Sequence, residues 1–298
     1  MVAHFWRAVL FCQLGVAILT ATVLSVATSL SLCVRIAVSA SVLVCLPALL
    51  FVAVGALRDD DKHQAPAHWA HFLRATLSEI VWFNQAALVM SLEPWVRTFH
   101  RPAVVADSQP VLLIHGFMCN RAVWNRLMRR LRREGIGPVL AVNLEPALRD
   151  IEYHAMAVVG QLRRFQAETR GLPVAIVAHS MGGLVARAAL RAIGPGVVRK
   201  IVTIGSPHHG AIPARCIRSV PGTQMRPESS WLTALNERQE GHFDVPIISI
   251  YSLEDWLIRP AHTAILRGAD SCALCGVGHM GLLSETRVLD RVVEALRI

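Results

Sequence analysis

Val174-Ala-Ile-Val-Ala-His-Ser-Met-Gly-Gly183 runs an apolar stretch straight into the start of a helical segment that continues to Ile193. A short apolar run without polar alternation reads as a strand covered on both faces. A strand that turns into a helix at Ser-x-Gly is a nucleophile elbow, here with Ala178 where Gly is commoner. The turn is sharp, so its neighbours must be small. Ala178 is one methyl larger than Gly, while Gly182 and Gly183 let the helix pack close to the strand. The turn presents the Ser180 hydroxyl at the C-terminal edge of a sheet. It also puts the Met181 amide at a helix N-terminus, where a developing oxyanion is stabilised. The pentapeptide alone is weak evidence; the strand before it and the helix after it give it weight.

The surroundings repeat the same alternation. Strands are expected at Val111–His115, Val139–Asn143, Lys200–Ile204, Ile247–Tyr251 and Ala273–Val277. Helices are expected at Arg121–Glu134, Asp150–Arg170 and Ser284–Leu296. Such alternation predicts a mostly parallel sheet with helices on both faces. A serine nucleophile needs a base, and in this arrangement the order is Ser, then Asp or Glu, then His. His279, in Gly276-Val-Gly-His-Met280, lies between the last strand and the last helix; His262 and His242 come too early. The acid is expected after the strand at Ile247–Tyr251, where Ser252-Leu-Glu-Asp255 offers two carboxylates. Asp255 is preferred, Glu254 is the alternative, and Asp270 sits in a Gly-Ala-Asp loop. The second oxyanion donor is expected from the loop after Val111–His115, with the Phe117 amide as candidate beside Gly116.

The N-terminal region has a different character. The 298 residues are 53% hydrophobic, with a mean hydropathy of +0.44. Ala8–Val34 is 27 residues without a charge, and Ile36–Leu57 adds 22 more after Arg35. A single helix over that length would reach about 75 Å, against roughly 30 Å of hydrocarbon. Two spans turning near Ser29–Arg35 fit instead, and 27 apolar residues exceed the core of a usual signal peptide. This composition excludes a simple cytosolic enzyme, a disordered chain and a disulfide scaffold. Basic residues flank the hairpin at Arg7 and at Arg58, Lys62 and Arg74, which favours both ends in the cytoplasm. The resulting division is a transmembrane hairpin over 1–57, a connecting helical segment over 58–102 and an α/β domain over 103–298. The charged break Arg58-Asp-Asp-Asp-Lys62 ends the membrane part. In the connecting segment, His63–Arg101 reads as a helix, with Trp69, Phe72, Leu73, Leu77, Ile80, Val81, Leu88 and Leu92 as its apolar stripe. The net charge is +9, with 28 Arg and two Lys. No nucleic-acid motif accompanies it; anionic lipid is the partner such a tethered domain would meet, and an arginine-rich coding bias is the blander reading. The arginines of Arg121–Glu134 read as a solvated face. Of the seven cysteines, Cys272 and Cys275 have metal-ligand spacing but no second pair, and two residues of a buried strand is the simpler reading.

The quoted pieces Leu112-Leu-Ile-His-Gly-Phe117, Ala178-His-Ser-Met-Gly-Gly183, Gly205-Ser-Pro-His-His-Gly210, Asp255 and Gly278-His279 together resemble a bacterial α/β-hydrolase of the lipase/esterase type, over roughly residues 110–298. Alanine at the first elbow position is similar to small Bacillus lipases. Gln224-Met-Arg-Pro227 before Ser230-Trp-Leu232 resembles a membrane-associated subgroup. The resemblance implies a Ser180–Asp255–His279 triad with Phe117 and Met181 as oxyanion donors. Larger lipases of this type bind calcium through an Asp just past the catalytic His. Met280-Gly-Leu-Leu-Ser-Glu285 has none, so no metal and no cofactor are expected. Those lipases are also secreted, often with a disulfide, whereas this chain carries an anchor. The stretch 211–244 falls where such enzymes place a cap.

The expectation is a membrane-anchored serine hydrolase of carboxylic esters, acting on lipid-like or membrane-partitioned substrates at the cytoplasmic face of a bacterial inner membrane. An acyltransferase or thioesterase would use the same triad. A non-catalytic membrane scaffold with a hydrolase-like domain is the remaining reading.

Overall fold

A computed structural model describes residues 1–27, 31–56, 69–95, 99–100, 109–239 and 241–297. Its first two helices, α1 (Val2–Ala27) and α2 (Leu32–Ala56), pack on each other and on α3 (Trp69–Ser91). By length and composition, Val2–Val26 is the one stretch among the described residues suited to crossing a membrane; the described apolar part of α2, Leu32–Cys45, is shorter. Arg35 lies in the first turn of α2 rather than in the connection, because that helix has already begun at Leu32. Residues 28–30 of the expected turn, the break at 58–62 and residues 63–68, 96–98 and 101 of the expected 63–101 helix lie outside the described residues. The helix itself ends at Ser91, and Phe99–His100 is strand instead, because it pairs with Leu140 and Val139.

Beyond them a seven-stranded sheet forms from β1 (Phe99–His100), β2 (Val111–Ile114), β3 (Val139–Val142), β4 (Val174–His179), β5 (Val198–Ile204), β6 (Ile247–Ser252) and β7 (Asp270–Leu274). The order is β1-β3-β2-β4-β5-β6-β7. β1 is antiparallel to β3 and the other pairs are parallel. The connecting helices are α4 (Asn125–Arg133), α5 (Ile151–Glu168), α6 (Met181–Ile193), α7 (Val220–Gln224), α8 (Ser230–Gln239) and α9 (Thr286–Arg297).

The strands are apolar throughout because both faces are covered. Leu112, Ile114, Ile176 and Ala178 point to the layer holding α5 and α6. Val111, Leu113, Ala175 and Val177 point to the opposite layer, with α4 and α9. That second layer also contains Val2 and Trp6 of α1 and Phe83, Ala87 and Met90 of α3. The chain passes from β3 over β2 to reach β4, so the strand order reverses there. Loops at the C-terminal ends of strands flanking such a switch form a crevice. Ile114, Ala178 and Thr203 are level in register, which places the loops after β2, β4 and β5 side by side.

Three expectations shift. The stripe read on α3 is the outer one: Trp69, Phe72, Leu73, Leu77, Val81, Leu88 and Leu92 are exposed, while Ala75, Glu79, Phe83, Ala87 and Met90 are buried. The buried face mixes small residues with Phe83 and Met90, and the loop after the last strand approaches it closely near Ser78. A Cβ on Gly281 would lie 2.4 Å from the Ser78 hydroxyl oxygen. The last strand runs over Asp270–Leu274, not 273–277, because pairing to β6 sets it rather than its own apolar content. Cys272 is therefore a half-buried edge residue and Cys275 lies past the strand. The arginines around α4 are partly engaged: Arg130 pairs with Glu134 and Asp290, Arg121 with Glu93, and Arg126 stacks over Trp82.

Candidate active site

β4 delivers Ser180 to the crevice. The serine holds φ 56° and ψ −128°, a conformation that L residues adopt at a cost and that persists only where surroundings impose it. Here the imposition is steric. A Cβ at Gly182 would stand 2.6 Å from the Ile114 carbonyl oxygen, so α6 leaves the sheet as close as the backbone permits. α6 starts at Met181, whose N–H belongs to the unsatisfied first turn of a 13-residue helix.

The loop after β2 faces the elbow. A Cβ at Gly116 would lie 2.8 Å from the Ser180 Cβ. The loop is pinned by His115. The Leu144 N–H donates to Nε2 at 3.0 Å, so the proton sits on Nδ1, which donates to the Gly116 carbonyl at 2.9 Å. Burial holds this ring neutral, pushing it down to about 4. Phe117 follows, and Met118 sits at φ 53°.

The loops after β6 and β7 bring Asp255 and His279 together. Asp255 Oδ2 lies 2.7 Å from His279 Nδ1, both groups buried. The other oxygen, Oδ1, accepts the N–H groups of Leu257 and Ile258, each at 2.9 Å. Glu254 turns to Gly276, whose N–H it accepts at 2.7 Å. Asp270 begins β7 and so occupies the opposite edge of the sheet from Ser180, as does His242, which precedes β6. His262 is exposed in a 3-10 turn. Burial disfavours the His279 imidazolium, but Asp255, by charge and hydrogen bond, and then Glu79 outweigh it and raise the ring above 6.5.

Glu79 is the residue that sequence reasoning missed. It comes from α3, is 1% exposed, and accepts the Met280 N–H at 2.9 Å and the Gly281 N–H at 3.3 Å on one oxygen. It therefore holds the two residues that follow His279. Burial pushes its carboxyl up to about 7; Asp255 adds to the rise, against the pull of His279 and the two amides. The signal was present: Glu79 lies on the stripe of Ala75, Phe83 and Ala87 at i, i+4 spacing, and a lone carboxylate on a buried stripe needs a partner. His179 was missed as well. Its ring packs at 4.6 Å from that of His279, and burial, then the His279 charge, hold it neutral.

Ser180 and His279 share a cavity of about 510 Å³ with Glu79, Phe117 and His179. The remaining walls are mostly apolar, from the insert after β5 (Pro213, Ile217, Met225), from α1 and α3, and from the loops after β2, β6 and β7 (Met118, Leu257, Ile258, Met280). Among the described residues, His71, Glu254 and Cys275 group with ligand atoms within 4.8 Å of one another. Glu254 accepts the Gly276 N–H on Oε2 and faces His71 through Oε1, and burial raises the Cys275 thiol. Cys272 is not part of it.

No curated protein matches the chain. Among solved structures, Aspergillus fumigatus lipase B superposes with a TM-score of 0.58 at 21% identity, over 67% of this chain and 56% of its own. This chain thus spans little more than half of that lipase. The mature form of Bacillus licheniformis lipase BlEst2 gives 0.57 at 14% identity, over 66% and 94%. At such identities the likeness establishes the fold. Residues 111–276 match the model of the alpha/beta hydrolase family, and the chain, matched over more than half its length, belongs to that family.

Proposed function

We propose that the protein is a membrane-anchored serine hydrolase of carboxylic esters, with Ser180 as nucleophile, His279 as base and Asp255 as the carboxylate behind it. One observation carries the reading: the 2.7 Å Asp255–His279 contact opens into the same apolar cavity as a serine on a strained elbow. His279 takes the hydroxyl proton as Ser180 Oγ adds to the ester carbonyl. The Phe117 and Met181 amides receive the oxyanion. His279 then gives its proton to the departing alcohol, leaving an acyl-serine. Water, deprotonated by the same ring, releases the carboxylic acid and restores the serine. Asp255 fixes the proton of the resting imidazole on Nδ1, so that Nε2 is free to act as base.

The apolar cavity favours an acyl chain over a polar acid. α1 and α2 form the proposed two-span anchor, with both ends and the catalytic domain in the cytoplasm. The deciding experiment is labelling with a fluorophosphonate, followed by hydrolysis of p-nitrophenyl esters. The reading expects wild-type protein to label and turn over, and Ser180→Ala to do neither. Equal behaviour of the two proteins refutes it. An alcohol acceptor added to the assay separates hydrolysis from acyl transfer by product. Extracellular labelling of Arg35→Cys in intact cells tests the topology, and protection of that site with access to the domain inverts it.

A further inference from the structure

The first helix is divided along its length. Val2 and Trp6 are 2% and 7% exposed and belong to the core of the sheet domain. The Trp6 Nε1–H donates to the Met118 carbonyl at 2.8 Å, and its ring meets Phe83 edge-on with centroids 5.6 Å apart. Arg7 Nε donates to the Ser91 carbonyl at 3.0 Å, with its guanidinium 4.8 Å from the Trp95 ring centroid. These contacts fix the first two turns of α1 against the loop that carries Phe117. Beyond Leu10 the helix leaves the domain, and Phe11, Ile18, Leu19, Val23 and Val26 are exposed. From Leu10 to Ala27 it rises about 27 Å, close to the roughly 30 Å of bilayer hydrocarbon. The undocked part thus has the length of one crossing, and it begins where the docked part ends.

Phe5, Trp6 and Val9 of the docked part line the cavity that holds Ser180 and His279. We propose that the head of α1 is a wall of the acyl site, and that the acyl chain of a membrane-resident ester reaches Ser180 along this helix from the adjoining leaflet. The proposal rests on the ester-hydrolase reading. The occupant follows from the lining: apart from Ser180, the histidines, Glu79 and the weakly bonding thiols of Cys119 and Cys216, the cavity offers side chains with no hydrogen-bonding capacity to spare, so a hydrated group entering it would be left largely unpaired. A methylene chain loses nothing there. The outer stripe of α3, with Trp69, Phe72 and Leu77 exposed, and Trp95 in the 3-10 turn after it, continues the apolar surface beside the docked helix. A patch of that kind on a soluble domain marks a partner surface, and aromatic side chains suit the headgroup level.

The test uses the full chain in lipid nanodiscs. Val9→Trp fills the wall and Phe5→Ala opens it, while Val26→Trp, on the exposed part of the same helix, is the control. The readout is the ratio of kcat/KM for dodecanoyl to butanoyl p-nitrophenyl ester. Val9→Trp is expected to lower this ratio at least tenfold and Phe5→Ala to move it the other way, with Val26→Trp at the wild-type ratio. An unchanged ratio in both wall variants overturns the proposal. A second arm needs no turnover: a terminal-diazirine dodecanoic acid is photolysed with Ser180→Ala protein. Label in the peptide holding Phe5 and Val9, displaced by dodecanoate but not butyrate, supports the wall. Its absence from that peptide overturns it. If wild-type protein hydrolyses no ester yet this label forms, the ester reading falls and the acyl site stands.

Discussion

Asp255→Asn changes one atom and forces a defined rearrangement. In the wild type, Oδ1 accepts two backbone N–H groups, from Leu257 and Ile258, and Oδ2 faces His279 Nδ1. Asparagine has one acceptor oxygen and one NH2. Two fixed backbone donors demand the oxygen on their side, so the NH2 turns to His279. An NH2 cannot accept a proton, so Nδ1 must become the acceptor and the ring proton moves to Nε2. That is the nitrogen from which Ser180 needs a lone pair. The carboxylate charge that raises His279 is also gone. Wrong tautomer and lost charge together reduce turnover by about 10³- to 10⁴-fold, equivalent to roughly 4–5.5 kcal/mol of barrier. Both backbone bonds survive, so the fold should too. Glu254→Gln is the comparison. Its carbonyl still accepts the Gly276 N–H, and weakening one charged hydrogen bond changes turnover by no more than about fivefold. The assay is kcat on a short-chain p-nitrophenyl ester, with thermal unfolding as a check on folding. Asp255→Asn within tenfold of wild type, or Glu254→Gln as the more damaged variant, refutes the assignment.

The acid limb of the kcat/KM profile is expected above pH 6.5, because His279 is raised and must be neutral to act; activity falls as pH drops through that value. Glu79→Gln removes the charge that Glu79 gains as it ionises near pH 7 and that helps to raise His279, so the upper part of the limb moves to lower pH; an unmoved limb there shows that Glu79 does not act on the ring. The same variant reports on stability. The native state keeps the Glu79 proton between 4.5 and about 7 while the unfolded chain releases it. Wild-type stability therefore falls across that window, by on the order of 3 kcal/mol, and Glu79→Gln lacks this slope; parallel curves of unfolding temperature against pH contradict the placement of Glu79. Gly116→Ala puts a Cβ 2.8 Å from that of Ser180; displacement of the loop by about 1 Å should cost about 10²-fold in kcat/KM, and wild-type kinetics would show that the loop tolerates it.

Strand β4 and helix α6 are legible to the residue, because a doubly covered strand and a helix starting on a small-residue turn leave little freedom in the pattern. The helix expected over Arg121–Glu134 divides into a 3-10 turn and α4, since the Asn120 side chain accepts the Ala122 N–H and tightens the entry. β7 was displaced by three residues: an exposed edge strand takes its position from its neighbour, and its own composition carries no signal. The sequence prefers Asp255 yet keeps Glu254 as an alternative for a related reason. Adjacent residues in a turn differ in direction by backbone torsions that a sequence does not display. Glu79 is a harder case, since its partners are the amides of residues 280 and 281, some two hundred positions away.

α3 shows where a hydropathy reading loses its sign. In water, the stripe with the larger apolar residues is the one that packs. Here Leu73, Leu77, Val81 and Leu88 point outward, while Ala75, Glu79, Phe83, Ala87 and Met90 point inward, so the leucine-rich stripe is the exposed one. Such an inversion is stable if the medium on the outer side is itself apolar, as the proposed anchor requires. The inner stripe is then selected by contact distance: the loop around His279 lies so near that a Cβ on Gly278 would fall 2.3 Å from a Glu79 carboxylate oxygen. A helix that close also holds the loop by hydrogen bonds, since Glu79 accepts the amides of Met280 and Gly281. Docking of α3 and positioning of the His279 loop are therefore one event. A change that shifts α3 should alter turnover without touching Ser180, Asp255 or His279.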